Sequence, residues 1–230
     1  MQYKNIVPAS FISRPNRFIA NCMVNVENEV VHVKNTGRCK ELLTSNAEVF
    51  LEYFPNTSRK TKYDLISVYK GKRLINMDSQ VPNKVVYESL LGEKNILSLK
   101  SPLTHIKMEQ KYKNSRFDIY AENNENKIFI EVKGVTLENN NIAMFPDAPT
   151  ERGIKHIHEL VDAYENGYKA YIIFVIQMKD VEYFTPNYIT HKEFGEALKY
   201  ASEKGVKILA YDCLVEKESI TLNNPVKVKL

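Results

Sequence analysis

The chain has 230 residues, 43% hydrophobic and 26% charged, with a net charge of +4, a balance that suits one large globular domain or two small ones and excludes a disordered or fibrous class. Three scattered cysteines, Cys22, Cys39 and Cys213, are too few for a disulfide framework or a zinc cluster and point to a reducing compartment. The most apolar run, 170–176, is far too short to span a bilayer, so no membrane association is expected.

From Arg17 to Asp78 the pattern is one of short strands and turns. Phe18–Val26 and Val30–Val33 read as a hairpin split by Glu27-Asn28-Glu29. Further strands are expected at Ala47–Tyr53, Tyr63–Tyr69 and Arg73–Asp78, with Gly71 in the last turn, and one or two helical turns at Cys39–Leu43. Five short strands and a small helix suit a small barrel of the OB type, a frequent nucleic-acid binder, and equally a barrel with no ligand. Residues 1–81 hold 12 Lys and Arg against 7 Asp and Glu, whereas 82–230 hold 20 against 21. The basic surplus therefore lies in the first part, as contact with a phosphate backbone would require.

Beyond Pro82 the pattern changes, which puts the domain boundary at 1–81 and 82–230. A helix is expected at Lys84–Leu91, ended by Gly92, then strands at about His105–Lys111, Ser115–Glu122 and Lys127–Leu137. Ile154, Ile157, Leu160, Val161 and Tyr164 recur at helical spacing, giving a helix from about Thr150 to Glu165, with Thr150 as N-cap and Gly167 as terminator. The buried strand Lys169–Gln177, a helix Lys192–Glu203 and a strand Val206–Asp212 complete an α-β-β-β-α-β-α-β succession.

Chemistry concentrates in the hairpin 115–133. If the chain reverses at Asn124-Glu125, Asp118 pairs with Glu131, and opposed residues bring their Cβ atoms to about 5 Å. One face then carries Phe117/Val132, Ile119/Ile130 and Ala121/Ile128 and is wholly apolar; the other carries Tyr120/Phe129, Asp118/Glu131 and Arg116/Lys133. Two opposed carboxylates repel each other unless a cation lies between them, and they can share a hard ion such as Mg²⁺. Lys133, on the same face, would orient or deprotonate a metal-bound water. The same spacing also suits a solvent-facing hairpin with an Arg116/Glu131 diagonal salt bridge. Glu109, on the preceding strand, is either a third carboxylate beside Asp118 or a surface residue paired with Lys107 or Lys111. At the start of the second helix Arg152, Lys155 or His156, and Glu159 form a polar stripe, which is either a phosphate grip or a solvated face. His156 and His158, two positions apart on a helix, point away from each other and cannot chelate one ion. Glycine-rich phosphate loops are absent, so an NTP-binding role has no support.

Six segments in order, Arg14-x-Asn16-Arg17-Phe18, His32-Val33-x-Asn35-Thr36-Gly37-Arg38, Ser115-Arg116-x-Asp118, Glu131-Val132-Lys133-Gly134-Val135-Thr136-Leu137, Phe145-Pro146-Asp147-Ala148-x-Thr150-x-Arg152-Gly153-x-Lys155-His156 and Phe174-Val175-x-Gln177, resemble the sugar fermentation stimulation protein A family. The resemblance implies an OB-like barrel followed by a PD-(D/E)XK restriction-endonuclease-like domain with a mixed sheet flanked by helices, in a bacterial or archaeal cytoplasmic protein. It also implies DNA binding and an association with regulation of sugar-utilisation genes. Family nuclease residues carry over onto Asp118, Glu131 and Lys133, with Glu109 as a further acid; the usual proline is replaced by Phe117. The expected activity is hydrolysis of phosphodiesters in DNA or RNA with Mg²⁺ or Mn²⁺, held by Asp118, Glu131 and the carbonyl of Val132. Arg116, Arg152 and Lys155 would grip flanking phosphates, and Arg14, Arg17, Arg38, Arg59 and Lys62 would hold the strand on the barrel. The alternative is a DNA-binding regulator that keeps the fold without the chemistry.

Overall fold

A computed structural model describes residues 1–35, 37–55, 58–92 and 94–230, so Thr36 of the second segment lies outside the described residues. Strands β1 (Ile6–Asn16), β2 (Ile19–Val24), β3 (Glu27–Val33), β4 (Glu48–Tyr53), β5 (Tyr63–Lys70) and β6 (Arg73–Asn76) form one sheet in the order β3-β2-β1-β4-β5-β6. A parallel pairing of β3 with β5 closes β1 to β5 into a five-strand ring, the OB arrangement. Alternate residues such as Val31, Val33, Val49, Leu51, Leu65 and Val68 fill its interior.

Three details differ from the sequence reading. Strand β1 is not expected, because Pro8 and Pro15 interrupt its pattern; it takes the place in the ring that the last strand, β6, is expected to fill. The β2–β3 turn sits at Asn25-Val26, both with positive φ (45° and 67°), two residues before Glu27-Asn28-Glu29, since Val24 pairs with Glu27. A two-residue hairpin turn of this hand needs two left-handed residues, and Val26 is left 93% exposed at its tip. Cys39–Leu43 forms hydrogen-bonded turns and no helix.

Helix α1 (Val81–Leu91) follows β6, with Pro82 in its first turn, where a missing N–H costs nothing. The second sheet has the order β15-β14-β12-β9-β8-β7, from β7 (His105–Tyr112), β8 (Ser115–Glu122), β9 (Lys127–Val135), β12 (Lys169–Ile176), β14 (Lys207–Val215) and β15 (Ile220–Pro225). It is mixed, since β9, β12 and β14 run parallel and the outer pairs antiparallel. Helix α1 covers one face with Val81, Val85 and Val86. Helices α2 (Glu151–Glu165) and α3 (Lys192–Lys204) cover the other with Ile157, Leu160, Phe194 and Leu198. Short strands β10 (Glu138–Asn139), β11 (Ile142–Phe145) and β13 (Tyr183–Pro186) form a small third sheet that the sequence pattern does not reveal. Among the described residues no helix is long and apolar enough to cross a membrane.

The two regions are held together by polar contacts, the Gln177–Asn76 one fully buried. Lys70 and Arg73 bind Glu138 at 2.7 and 3.3 Å, and Gln177 donates to Asn76 Oδ1 at 2.8 Å. The residues ahead of β1 pack against the second region: Tyr3 N donates to the Glu218 carbonyl and the Met1 ammonium to Glu88.

Candidate active site

The β8–β9 ladder runs from Glu122↔Lys127 to Ile119↔Ile130, the register that the mirror spacing predicts. Asp118 and Glu131 are the next residues, where this ladder stops. Alternation along β9 turns Phe129, Glu131 and Lys133 toward α2 and Ile128, Ile130 and Val132 toward α1. On β8 the expected alternation breaks. Phe117 joins the α2 layer, with its ring 5.0 Å from Phe129 and 6.5 Å from His156, and does not share the face of Ile119 and Val132. The break coincides with an irregularity next door on β7. Glu109 has φ +57°, and it and Asp118 drop out of the ladder between Met108↔Ile119 and Gln110↔Phe117. Such a kink re-aims side chains beside a site.

Asp118 is consequently held by groups outside its own strand. Asn83 on α1 donates to Oδ1 at 2.9 Å and the Val132 amide to Oδ2 at 2.8 Å. Burial first, and then the charge of Glu131, push its carboxyl above the usual carboxylate range. Glu131 is only 2% exposed. Burial pushes its carboxyl up, but the hydrogen bond from His156 and the charge of Lys133 outweigh that and leave it below the usual range. The two acids thus differ in environment, as acid/base sites require.

Glu131 Oε1 takes both Lys133 Nζ and His156 Nδ1, each at 2.5 Å. Arg152 Nε donates to His156 Nε2 at 3.4 Å, which keeps a lone pair there and places the ring proton on Nδ1, facing Glu131. Glu131 Oε2 is buried without a hydrogen-bond partner. An orphaned carboxylate oxygen beside a second carboxylate fits a hard divalent cation, the more so because the neighbouring Val132 carbonyl offers another oxygen. Among the described residues no group of three or more His, Cys, Asp or Glu side chains is gathered as a complete cage. Any ion here would rest on two carboxylates, backbone and solvent.

The other expected residues are dispersed. Glu109 pairs with Arg116 at 3.2 Å on the surface, in place of the expected Lys107 or Lys111 and of the expected Arg116/Glu131 diagonal. Lys155 meets Glu159 at 3.9 Å. On the barrel Arg59 binds Asp64 at 2.5 Å and lies over Phe54, Lys62 meets Glu29 at 3.4 Å, and Arg17 lies over the Phe18 ring. Arg14 is spent internally: its guanidinium donates to the carbonyls of Arg17, Asn35, Gly37 and Arg38. It braces the loop that presents Arg38 and does not itself face a ligand. Of the two residues that hold the acids, His156 belongs to the α2 stripe that the sequence offers as a phosphate grip and instead binds Glu131, and Asn83 is not among the expected site residues.

The signs of the two shifts make a stability prediction. A carboxyl whose folded pKa is raised binds its proton more tightly folded than unfolded, so ionised Asp118 costs stability at neutral pH and the cost disappears as pH falls through its folded value. Asp118→Asn keeps an acceptor for the Val132 amide and should melt higher than wild type in EDTA at pH 7.5, by about 2–4 °C for each kcal/mol gained. The gain should shrink at pH 4.5. A lower melting temperature at pH 7.5 would refute the assignment.

Two family models match the chain: "SfsA N-terminal OB domain" over residues 12–77 and "Sugar fermentation stimulation protein RE domain" over residues 80–219. Sugar fermentation stimulation protein homologs from Ruminiclostridium cellulolyticum and Clostridium beijerinckii are 61% and 60% identical to it over 230 residues, covering all of each chain. The solved structure of Pyrococcus furiosus SfsA in complex with Ca²⁺ superposes with a TM-score of 0.88 at 27% identity, covering 100% of this chain and 98% of that one. With barrel, mixed sheet and full-length relatives all in agreement, the chain belongs to the sugar fermentation stimulation protein A family.

Proposed function

We propose that the protein is a nucleic-acid-binding, metal-dependent nuclease that hydrolyses phosphodiester bonds in DNA or RNA. The observation that carries this reading is the buried, unpartnered Oε2 of Glu131 beside Asp118, with Lys133 bound to the other oxygen of the same carboxylate. Asp118, Glu131 and the Val132 carbonyl would hold Mg²⁺ or Mn²⁺, and the Ca²⁺ complex of the Pyrococcus furiosus relative supports a hard-cation site. When bound, the ion would supply Lewis acidity at the phosphate and an acidified water. The chain's own part is to keep Glu131 ionised through His156 and Lys133, to hold Asp118 through Asn83, and to place the Lys133 ammonium where phosphate charge develops. The barrel, with Arg17 and Arg38 exposed, would bind the strand.

The rival reading, a DNA-binding regulator of sugar-utilisation genes without cleavage, draws on one feature. Both Asp118 oxygens already accept hydrogen bonds, so the pair is satisfied except at Glu131 Oε2. Incubation with single- and double-stranded DNA and RNA under Mg²⁺, Mn²⁺ or EDTA separates the two. Metal-dependent products that vanish in EDTA and fall with Lys133→Ala are expected. Binding without products on every substrate would favour the regulator.

A further inference from the structure

Between the barrel and the second sheet lies a cavity of about 180 Å³ that the carboxylate chemistry does not use. Asn35, Ser79, Met144, Phe145, Asp147 and Gln177 line it, and Gly134, the residue after Lys133, forms part of its wall. Its polar groups are pre-oriented. Gln177 is 1% exposed; its Nε2 is spent on Asn76 Oδ1 and the Asp78 carbonyl at 2.8 and 3.0 Å. That fixes the amide so that Oε1 lies against Gly134, where a Cβ would come within 2.7 Å of it. Asn35 Oδ1 accepts from the Gly37 amide, which leaves its amine as a donor. Among the described residues neither Gln177 Oε1 nor the Asn35 amine has a hydrogen-bond partner.

The lining decides the ligand class. It contains a carboxylate, Asp147, and no Lys or Arg, so a phosphate is disfavoured inside. Separate donor and acceptor groups beside one aromatic and one thioether wall suit a neutral heteroaromatic ring. The volume is below the roughly 300–1,000 Å³ of a site for a whole small molecule. Gly37 belongs both to this cavity and to a shallow concavity lined by Arg17, Arg38 and Lys40. A cationic track on the barrel therefore runs into an uncharged-ligand cavity whose wall continues into Lys133.

We infer that the cavity receives one unstacked nucleobase while its phosphates remain on the Arg17/Arg38/Lys40 side, so that the substrate is single-stranded or locally flipped nucleic acid. This rests on the nucleic-acid reading proposed above and adds to it the strand state of the substrate. A base held there would set which phosphodiester reaches Glu131 and Lys133.

The test uses the full chain in EDTA with short single-stranded DNA carrying 2-aminopurine at successive positions, followed by anisotropy and by 2-aminopurine emission. One position should brighten on binding as its base leaves the stack. An abasic site there should weaken wild-type binding about tenfold. Ser79→Trp, at the exposed rim, should fill the cavity, suppress the brightening and make binding insensitive to the abasic site. Binding with no bright position, or an abasic site without effect at every position, overturns the cavity assignment and leaves the nuclease reading standing. No anisotropy change with any oligonucleotide overturns both.

Discussion

Cleavage supported by Mg²⁺ or Mn²⁺ is expected to fall about a thousandfold in Glu131→Gln, the equivalent of several kcal/mol of lost transition-state stabilisation. The substitution removes the charge at the orphaned Oε2 while keeping the side chain's shape in a site that is 2% exposed. Shape matters because Glu131→Ala would leave Lys133 and His156 unpaired, and breaking a buried pair costs about 3–5 kcal/mol. His156→Ala should lose less, roughly 10- to 100-fold in metal affinity or rate, because it acts through Glu131. Its role as a positioning residue is read from calorimetric titration of Mn²⁺ in the absence of nucleic acid: weaker binding with an unchanged fold supports it. Metal binding and cleavage unchanged in both variants would remove Glu131 from the site.

Phe174→Ala is expected to cost about 3–5 kcal/mol, a large part of the total stability of a domain. Phe174 is fully buried on β12 between β9 and β14, stacked on Phe184 at 4.1 Å and 5.7 Å from Phe145. The cavity left would have rigid walls, a sheet below and the small β11–β13 sheet above, so collapse cannot recover much. For a chain of this length that corresponds to a fall in Tm of about 6–20 °C. Urea unfolding checks it. A cost below about 1.5 kcal/mol would mean that the aromatic cluster does not carry the joint between these sheets.

Much of the second region is legible because its elements obey a single period. The α2 stripe Ile154-Ile157-Leu160-Val161, its Thr150 cap, whose Oγ1 accepts from Gly153 N at 3.1 Å, and the continuous apolar run of β12 each admit one reading. In the barrel, β1 carries two prolines and exposed polar residues, so its strand character comes from pairing with β2 and β4. The third sheet is invisible for a similar reason: β10, β11 and β13 have two, four and four residues, too short for any periodicity to register.

The site divides along the same line. Residue identity and period two are enough to give the hairpin register that leads up to Asp118 and Glu131, because the register follows from where the hairpin turns. Only the folded chain could decide that β8's alternation breaks beside Glu109, that Asn83 and His156 arrive from two different helices, and that Arg14 is consumed by the carbonyls of Asn35, Gly37 and Arg38. The Asn83 and His156 contacts join residues 35 and 25 positions apart, and the Arg14 contacts depend on the path of a loop. Local spacing specifies the register of the hairpin; which groups then share a face, and which are buried, paired or left unsatisfied, is set by what packs against the strands.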